Sequence, residues 1–405
     1  MPFRTAISGL RAAQTDLNVI GNNIANVGTT GFKSSRAEFH DIFSVTGPGG
    51  ASSTNAGQGV NTARIAQQFA QGNITFTDNG LDLAISGQGF FILDDEGARV
   101  YARDGAFGVD RDGFVVNSND QKLNAFTTDA SGSITGVLAP LQISTANTAP
   151  NPTTLITLGA NLDSMASVPL TAPFDPADST SFNNTTAASV FDSLGGSHLM
   201  QTYFVKTAGA NTWDSYTLVD GASVSGPDPL TFSTTGALAT PAAGNITIPA
   251  FTPAPGTDPL NLTLDLAQST QFGAPFGVNQ LSQDGYTTGR LAGLDIDGEG
   301  VVFARFTNGQ YQVQGQVALG NFSNVQGLQS LGDNNWAETF ASGNVLEGAP
   351  GSSSLGLLQS GALEDSNVDL SEQLVKLIVA QRNFQANTEV ISTADNITQA
   401  IINIR

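Results

Sequence analysis

The stretch "FRTAISGLRAAQTDLNVIGNNIANVG" (Phe3–Gly28) decides the fold at the N-terminal end of the chain. Seam positions recur in it at alternating spacings of four and three residues, a pattern typical of a helix that packs on another helix. Pro2 suits the start of such a helix, and Gly28 suits its end. The seam positions are Phe3, Ile7, Leu10, Gln14, Leu17, Gly21 and Ile24.

A second helix is predicted at the C-terminal end. Asp369 can cap its first turn, with Glu372 three residues further on as in a variant of the capping box. The four-three spacing then predicts a seam that runs to the end of the chain. Its positions are Leu370, Leu374, Leu377, Gln381, Phe384, Thr388, Ile391, Asp395, Thr398 and Ile402.

Each seam consists of one apolar line and one mixed line. The apolar lines are Phe3, Leu10, Leu17 and Ile24 in the first helix and Leu377, Phe384 and Ile391 in the second. A coiled coil of only these two helices would need both lines to be apolar over most of its length. The mixed lines therefore favour helices that pack on several neighbours, including other copies of the chain. An intramolecular helical hairpin with polar interruptions is the alternative.

Amides lie close to the apolar line of the first helix. Asn18, Asn22 and Asn26 are four residues apart, and Gly21 opens the mixed line to the approach of another helix. Amides are poor helix formers, so a solvated stripe would cost helix stability without an evident gain. We expect Asn22 and Asn26 to bond to neighbouring copies, because each amide can donate and accept. A solvated polar stripe is the alternative.

The middle of the chain is predicted to be β structure. In Gly80–Val116, short alternating runs are separated by turns at Gly87–Gly89, Asp104-Gly105 and Asp112-Gly113. A second β block spans about 286–345. Between them lies a Thr/Ala/Pro-rich region with strands predicted at His198–Thr207, Trp213–Val219 and Asn245–Phe251.

The predicted fold is mainly β with α-helical termini. Residues 1–28 and 370–405 form the paired terminal helices, and residues 29–70 and 346–369 form an extended connector. Residues 71–145 and 286–345 form a core β domain. Residues 146–285 form a second β domain inserted in the first. Within the connector, Ser44–Asn61 is rich in Gly and Ser.

Composition narrows the classes of function. The 405 residues contain no Cys, which excludes a disulfide framework and thiolate metal sites. The net charge of −20 argues against a nucleic-acid partner. Residues 1–36 carry a net +3 and residues 370–405 a net zero, whereas the remaining 333 carry eight bases and 31 acids. The near-neutral ends are therefore the expected places for copies to meet.

The sequence offers few residues for catalysis or cofactor binding. His40 and His198 are its two histidines, so zinc sites and Ser-His-Asp catalysis are not expected. The stretch "DIDGEG" (Asp295–Gly300) is similar to the start of a calcium loop, but position twelve is Phe306 rather than glutamate. A hairpin turn at Asp297-Gly298 is the favoured interpretation. We expect no enzyme activity, no cofactor and no metal.

The chain also lacks the usual signals for membranes. No apolar run approaches 18 residues, so no membrane insertion is expected. The N-terminal stretch is amphipathic and has no continuous apolar core of a signal peptide. If the protein leaves the cell, we expect a route without a cleaved signal.

Several stretches resemble the axial proteins of the bacterial flagellum, which include rod, hook and hook-associated proteins. Ile7–Ser35 is similar to their N-terminal signature and Gly361–Arg405 to their C-terminal signature. "LDLAISGQGFFIL" and "YARDGAFGVDRDGFVV" resemble the β domain shared by rod and hook. Tyr203–Thr217 and Val317–Gly343 resemble the hook members in particular.

This resemblance implies a structural subunit that polymerises with many copies of itself into a curved, hollow tube. The tube acts as a universal joint that passes torque from the rod to the filament. The terminal helices would form an inner coiled-coil layer, with the β domains outside. The implied partners are the hook cap protein, the distal rod protein, the hook–filament junction protein and the flagellar type III export apparatus. The location would be extracellular.

The resemblance also suggests that Phe39 and Phe43 form an export motif, with two buried aromatics as the alternative. Phe384 stands where relatives often have Tyr. A distal rod protein is the nearer alternative function, although residues 146–285 favour the hook. A secreted β-rich glycan-binding protein or enzyme is the more remote one.

Overall fold

The computed structural model describes residues 2–42, 57–129 and 131–403. It has a long helix at each end, α1 (Pro2–Ala25) and α2 (Leu370–Asn403), and a short 3₁₀ helix at Val325–Gly327. Most of the chain between them is strand and turn. The predicted class, mainly β with α-helical termini, is confirmed.

The strands are numbered in chain order. The first ten are β1 Ser35–Asp41, β2 Val60–Gln67, β3 Ile74–Phe76, β4 Leu83–Ser86, β5 Phe90–Asp95, β6 Ala98–Ala102, β7 Gly108–Val109, β8 Val115–Val116, β9 Lys122–Thr128 and β10 Ile134–Pro140. The next ten are β11 Leu155–Asp163, β12 Asn184–Phe191, β13 Ser197–Lys206, β14 Thr212–Val219, β15 Ala222–Phe232, β16 Leu238–Thr240, β17 Asn245–Thr247, β18 Thr263–Asp265, β19 Thr270–Phe272 and β20 Gly277–Gln283. The last nine are β21 Leu291–Ile296, β22 Val301–Phe306, β23 Tyr311–Val317, β24 Leu319–Asn321, β25 Gln329–Gly332, β26 Asn335–Ala337, β27 Leu346–Gly348, β28 Leu357–Ser360 and β29 Ala362–Glu364.

The described chain divides into two compact units. The first unit takes the described parts of Met1–Ser144, together with Gly293–Arg305 and Tyr311–Arg405. The second unit takes Thr145–Ala292 and Phe306–Gln310. Each unit has its own hydrophobic core. The first unit without α1 and α2 is called the first β unit, and the second unit is the second β unit.

The first unit is built on a large sheet with the strand order β21-β22-β23-β9-β5-β6-β26-β25. Its core contains buried aromatic side chains from well-separated strands. Phe90 and Trp336 meet edge to face with ring centroids 5.6 Å apart, and Tyr101 meets Phe322 at 4.8 Å. Because aromatic rings bury large areas, this cluster holds the strands of the sheet together.

The second unit has two five-stranded sheets. One has the order β12-β13-β14-β15-β16, and in the other β11 pairs with β18, β19 and β20. Along β14, "TWDSYTLV", buried and half-buried positions alternate at first, and Trp213 is fully buried. This alternation is the period-two pattern of a strand with one face on a core. The strands predicted at His198–Thr207 and Trp213–Val219 are confirmed as β13 and β14. The strand predicted at Asn245–Phe251 is confirmed only at its start, as β17.

Three short strand pairs link the two ends of the chain to the first unit. β1 pairs with β2, β29 with β3 and β28 with β4, all antiparallel. The strands β27, β28 and β29 lie within residues 346–369, the range predicted as connector. The segments that follow α1 and precede α2 are therefore both held by backbone pairing.

The start of α2 shows the predicted cap in part. Asp369 Oδ1 accepts hydrogen bonds from the backbone N–H of Ser371 at 2.8 Å and of Glu372 at 3.1 Å. The reciprocal half of the capping box was predicted wrongly. The Glu372 carboxylate instead forms an ion pair with Lys376 at 2.7 Å, one helical turn further on.

Candidate functional site

The helices α1 and α2 pack against each other in antiparallel orientation. Near the start of α1, a Cβ added at Gly9 would lie 2.5 Å from Asn387 Oδ1, late in α2. Near the end of α1, Asn23 Nδ2 donates to Gln373 Oε1 at 3.3 Å, early in α2. The chain therefore pairs its own two ends, the arrangement that the sequence left open as a helical hairpin.

The face of α1 that takes part in this pairing differs from the predicted seam. The pairing face of α1 contains the buried residues Ala6, Ala13, Ile20 and Asn23, together with Gly9. Small side chains let two helix backbones approach closely, and they add little to the apolar pattern of a sequence. The intramolecular contact of α1 therefore uses a different face from the predicted seam, whose role in contacts between copies stays a prediction.

The pairing face of α2 shares one line with the prediction. Leu377, Phe384 and Ile391 are half-buried, as expected for residues on the pairing face. The second line consists of Gln373, Ala380 and Asn387, whereas Leu374, Gln381 and Thr388 are exposed. The seam of α2 is thus rotated by one helical position relative to the predicted one.

The predicted assembly residues fall into two groups by burial. Half-buried are Ile7, Leu10, Leu17, Ile24, Asn26, Leu377, Phe384 and Ile391. Exposed are Phe3, Gly21, Asn22, Leu370, Leu374 and Gln381. The exposed residues and the solvent-facing parts of the half-buried ones form a surface that is open to contact with another molecule.

Three asparagines at the C-terminal end of α1, the last of them directly after the helix, have different surroundings. Asn22 is exposed, and the Asn26 amide bonds within the helix end, donating to Asn22 O at 2.9 Å. Asn23, which is not among the predicted assembly residues, is only 1% exposed. Its amide donates to Ser35 O and accepts from Ser35 N, both at 2.8 Å. The sequence signal that could have identified Asn23 is its place in a second four-three series, together with Ala13 and Ile20.

Large apolar side chains are exposed along α2. They are Leu370, Leu374, Val375, Ile378, Val379, Val390, Ile397 and Ile402, each more than two-fifths exposed. Towards the end of α2, Val390, Ala394 and Ile397 line an open groove of about 690 Å³ beside Phe3. A concentration of apolar surface on one helix is typical of an interaction site.

A buried ionic cluster lies where the segments next to α1 and α2 meet the β strands of the first unit. Lys33 Nζ is 2.6 Å from Glu364 Oε1, and Arg103 Nη1 is 3.1 Å from Glu364 Oε2. The side chains of Lys33 and Glu364 are 0% and 1% exposed. Burial lowers the pKa of Lys33, and the Glu364 carboxylate opposes this by favouring the charged amine. We call Lys33, Arg103 and Glu364 the charged lock.

The described residues offer little for catalysis. Among them no group of three or more His, Asp or Glu side chains is placed to hold a metal ion. Asp297 forms the predicted turn between β21 and β22, where its carboxylate accepts from the N–H groups of Glu299 and Val301. No helix in the described ranges is long and apolar enough to span a membrane.

The suggested export motif lies only partly within the described residues. Phe39 lies on β1 and is 40% exposed, so it is not the buried aromatic of the alternative interpretation. Phe43 lies outside the described residues.

Family models match four stretches of the chain. Residues 3–33 match the flagella basal body rod protein family, and residues 84–161 match the flagellar hook protein FlgE/F/G D1 domain. Residues 161–286 match the flagellar basal body protein FlaE D2 domain. Residues 359–404 match the flagellar basal body rod FlgEFG protein C-terminal family.

Curated relatives match over the full length. The chain is 41% identical to the flagellar hook protein FlgE of Salmonella typhimurium and 40% identical to that of Escherichia coli, covering 100% of both chains in each case. It is 32% identical to the FlgE of Borreliella burgdorferi, covering 99% of this chain and 98% of the relative. The crystal structure of Helicobacter pylori flagellar hook protein FlgE2 shares the fold, with a TM-score of 0.54 at 14% identity over 72% of this chain and 100% of that one.

Proposed function

The chain belongs to the flagellar hook protein family and is a structural subunit of the bacterial flagellar hook, and we propose that its copies join through their terminal helices. The product is a curved, hollow tube that passes torque from the rod to the filament. In this tube α1 and α2 form the inner layer, and the two β units lie outside them.

The exposed apolar surface of α2 carries this proposal. Leu374, Val375, Ile378 and Val379 are each close to half exposed or more, although they lie on a helix that already packs on α1. Burying a leucine or isoleucine side chain contributes about 1.5–3 kcal/mol. A single chain leaves this contribution unused, whereas many parallel copies would bury all four side chains against neighbouring helices.

Polar positions on α1 fit the same arrangement. Gly21 and Asn22 are exposed and lie on a different face from Ala13 and Ile20, which are buried within the chain. An amide at Asn22 can donate and accept, so it can bond to a neighbouring copy without a specific charge partner. Contacts of this kind set the register between copies.

The remaining aspects of the function follow from the resemblance and the sequence. We propose export through the flagellar type III apparatus without a cleaved signal peptide, with Phe39 as part of the motif that the apparatus reads. The protein would be extracellular. It would contact the hook cap protein during growth, the distal rod protein at one end and the hook–filament junction protein at the other.

We assign the protein no enzymatic role, since the hook protein family is a family of structural subunits. A distal rod protein would share the terminal helices and the first β unit. The match of residues 161–286 to a D2 domain model supports the hook, because a rod protein is expected to lack this region.

Electron microscopy of the concentrated full-length chain tests the proposal. We expect hollow, curved tubes once the concentration exceeds a threshold for polymerisation. Straight tubes would indicate the rod alternative. Failure to form tubes under any condition that polymerises a relative would contradict polymerisation through the chain's own helices.

A further inference from the structure

We propose that Lys33 is a positioning residue for assembly: it fastens the N-terminal helix to the first β unit through the charged lock, while that unit does not need Lys33 for its own folding. This inference rests on the proposed polymerisation through the terminal helices. It concerns a residue outside the exposed helix surfaces described above.

The lock joins parts of the chain that are far apart in sequence. Lys33 follows α1, Glu364 lies on β29 shortly before α2, and Arg103 follows β6. Lys33 Nζ also donates to Ala70 O at 2.9 Å, in the segment after β2. The Lys33 amine therefore connects the segment after α1 with the strand that precedes α2 and with the segment after β2.

Glu364 is held in place independently of Lys33. Its carboxylate accepts from the backbone N–H of Gly72 at 2.7 Å and from Arg103. The Arg103 guanidinium also donates to Gly87 O at 2.9 Å and lies over the Phe90 ring. Arg103 and Glu364 thus form a hydrogen-bonded pair of opposite charge that belongs entirely to the β unit.

Charge balance shows what Lys33 adds. Arg103 and Glu364 already neutralise each other, so Lys33 brings a second, excess cation into a site that is closed to solvent. Burying such a charge is costly, and the lowered pKa of Lys33 reflects that cost. A buried charge that the fold does not need for neutrality points to a role in fixing one specific arrangement.

Backbone contacts around the lock support the same role. Gly31 N donates to Glu364 O at 2.7 Å, and Gly31 has a left-handed backbone with φ of +67°. A Cβ at Gly31 would lie 2.5 Å from Asp104 N, so this position admits only glycine without displacement. The backbone that follows α1 is therefore held in a fixed conformation next to the charged lock.

Two amides extend the lock to both helices. Asn367 Oδ1 accepts from Ser34 N at 2.8 Å, and its amide group donates to Ala70 O at 3.0 Å. Asn23 bonds to both backbone groups of Ser35 and to Gln373 of α2. The direction in which α1 and α2 leave the unit is thus set by one continuous polar cluster, with Lys33 at its centre.

Lys33→Met is the decisive variant, because methionine keeps much of the aliphatic length and leaves Arg103 paired with Glu364. We expect the thermal unfolding of the variant to match that of the native chain, while its critical concentration for polymerisation rises by about tenfold or more. That factor corresponds to the free energy of one charge-assisted hydrogen bond, which each variant subunit would have to replace when assembly fixes the direction of its helices. Sedimentation of polymer and calorimetry measure the two quantities.

Lys122→Met is the matched control. Lys122 lies on β9 of the same unit, over the Phe114 ring, and it is placed in neither helix nor in the lock. The control should polymerise like the native chain. Native-like polymerisation of Lys33→Met, or equal loss of assembly and of β-unit stability, would overturn the proposal.

The native chain supplies a second measurement if Lys33→Met does not fold. The chain has four lysines, so acetylation of assembled tubes followed by mass spectrometry can follow each one. Lys33 should stay unmodified under conditions that modify Lys122. Equal labelling of the two would show that the lock is open in the polymer and would overturn the proposal. If the native chain forms no tubes at all, the proposed function itself fails, which is a distinct result.

Discussion

At the scale of single residues, His198 on β13 lies between two carboxylates of the second unit. Its Nδ1 is 2.6 Å from Asp220 Oδ2, and its Nε2 is 3.2 Å from Asp192 Oδ2. Burial opposes charging of the imidazole, but the hydrogen bonds to Asp220 and Asp192 outweigh it and raise the pKa of His198. The hydrogen bond from His198 helps to lower the pKa of both aspartates.

These shifts predict that the stability of the second unit depends on pH. The contribution of charged His198 is complete below its ordinary pKa of about 6.5 and is lost as the pH rises through the raised value. The contribution of the aspartates is present above about pH 4 and is lost in more acidic solution. We therefore expect the melting temperature to be highest between about pH 4 and 6.5 and to fall by about 2–4 °C in alkaline solution, for a contribution of about 1 kcal/mol.

Two variants check the pH prediction by calorimetry. His198→Gln should remove the decrease above neutral pH, because glutamine does not titrate. His40→Gln is the control, since His40 is exposed on β1 of the first unit. An unchanged alkaline decrease in His198→Gln would assign the effect to other groups.

Some residues of the site could be predicted from the sequence, and others could not. Asn22 and Gly21 were selected because amides and glycine interrupt an apolar helix, and both lie exposed. Lys33 lies within the N-terminal stretch that resembles flagellar axial proteins, but its partner Glu364 is 331 residues away. A spacing argument cannot connect residues at that separation, and one lysine among polar neighbours resembles a solvated side chain.

At the scale of elements, α2 presents two different surfaces. One surface, with Leu377, Ala380 and Phe384, packs on α1, whereas Leu374 and Ile378 lie outside this contact and are 46% and 48% exposed. A helix that is apolar on more than one side has more than one packing partner. The two surfaces can therefore be separated by mutation.

Leu374→Asp should block polymerisation and leave the α1–α2 pair intact. The variant removes an apolar contact worth about 1.5–3 kcal/mol and would bury a carboxylate between copies, so the critical concentration should rise about a hundredfold or more. Sedimentation measures polymer, and circular dichroism measures helix content. Ser371→Asp is the control, because it adds the same charge in the first turn of α2, where the helix dipole favours it. Native-like polymerisation of Leu374→Asp would exclude this surface from the interface.

The sequence predicted where both helices lie more accurately than which faces they use. A four-three spacing of apolar residues locates a helix, and α1 and α2 begin at the predicted residues. The intramolecular face of α1 consists largely of Ala6, Gly9 and Ala13, whose small side chains contribute weakly to any apolar pattern. The predicted seam of α1 instead follows the larger residues Leu10, Leu17 and Ile24, which are half-buried beside this face. The role of that seam in contacts between copies stays a prediction.

At the scale of the whole molecule, the two aromatic-rich cores and the proposed assembly surfaces lie in different parts of the chain. The cores around Trp336 and Trp213 each lie within one β unit and include no residue of α1 or α2. The acidic charge is concentrated in the β units, whereas residues 370–405 have no net charge. If polymerisation uses the terminal helices as proposed, folding of these two cores and polymerisation should depend on separate sets of residues.

A fragment that lacks residues 1–35 and 370–405 should consequently fold and remain monomeric. It retains both aromatic cores and the pairing of β29 with β3, and its Arg103–Glu364 pair stays balanced in charge after Lys33 is removed. Its strong negative charge should keep copies apart at low ionic strength. Sedimentation velocity should show one monomeric species at concentrations where the full chain forms tubes, and circular dichroism should show β structure without the helical signal. Tubes formed by the fragment would place the assembly contacts in the β units, and an unfolded fragment would show that the helices are needed for folding as well as for assembly.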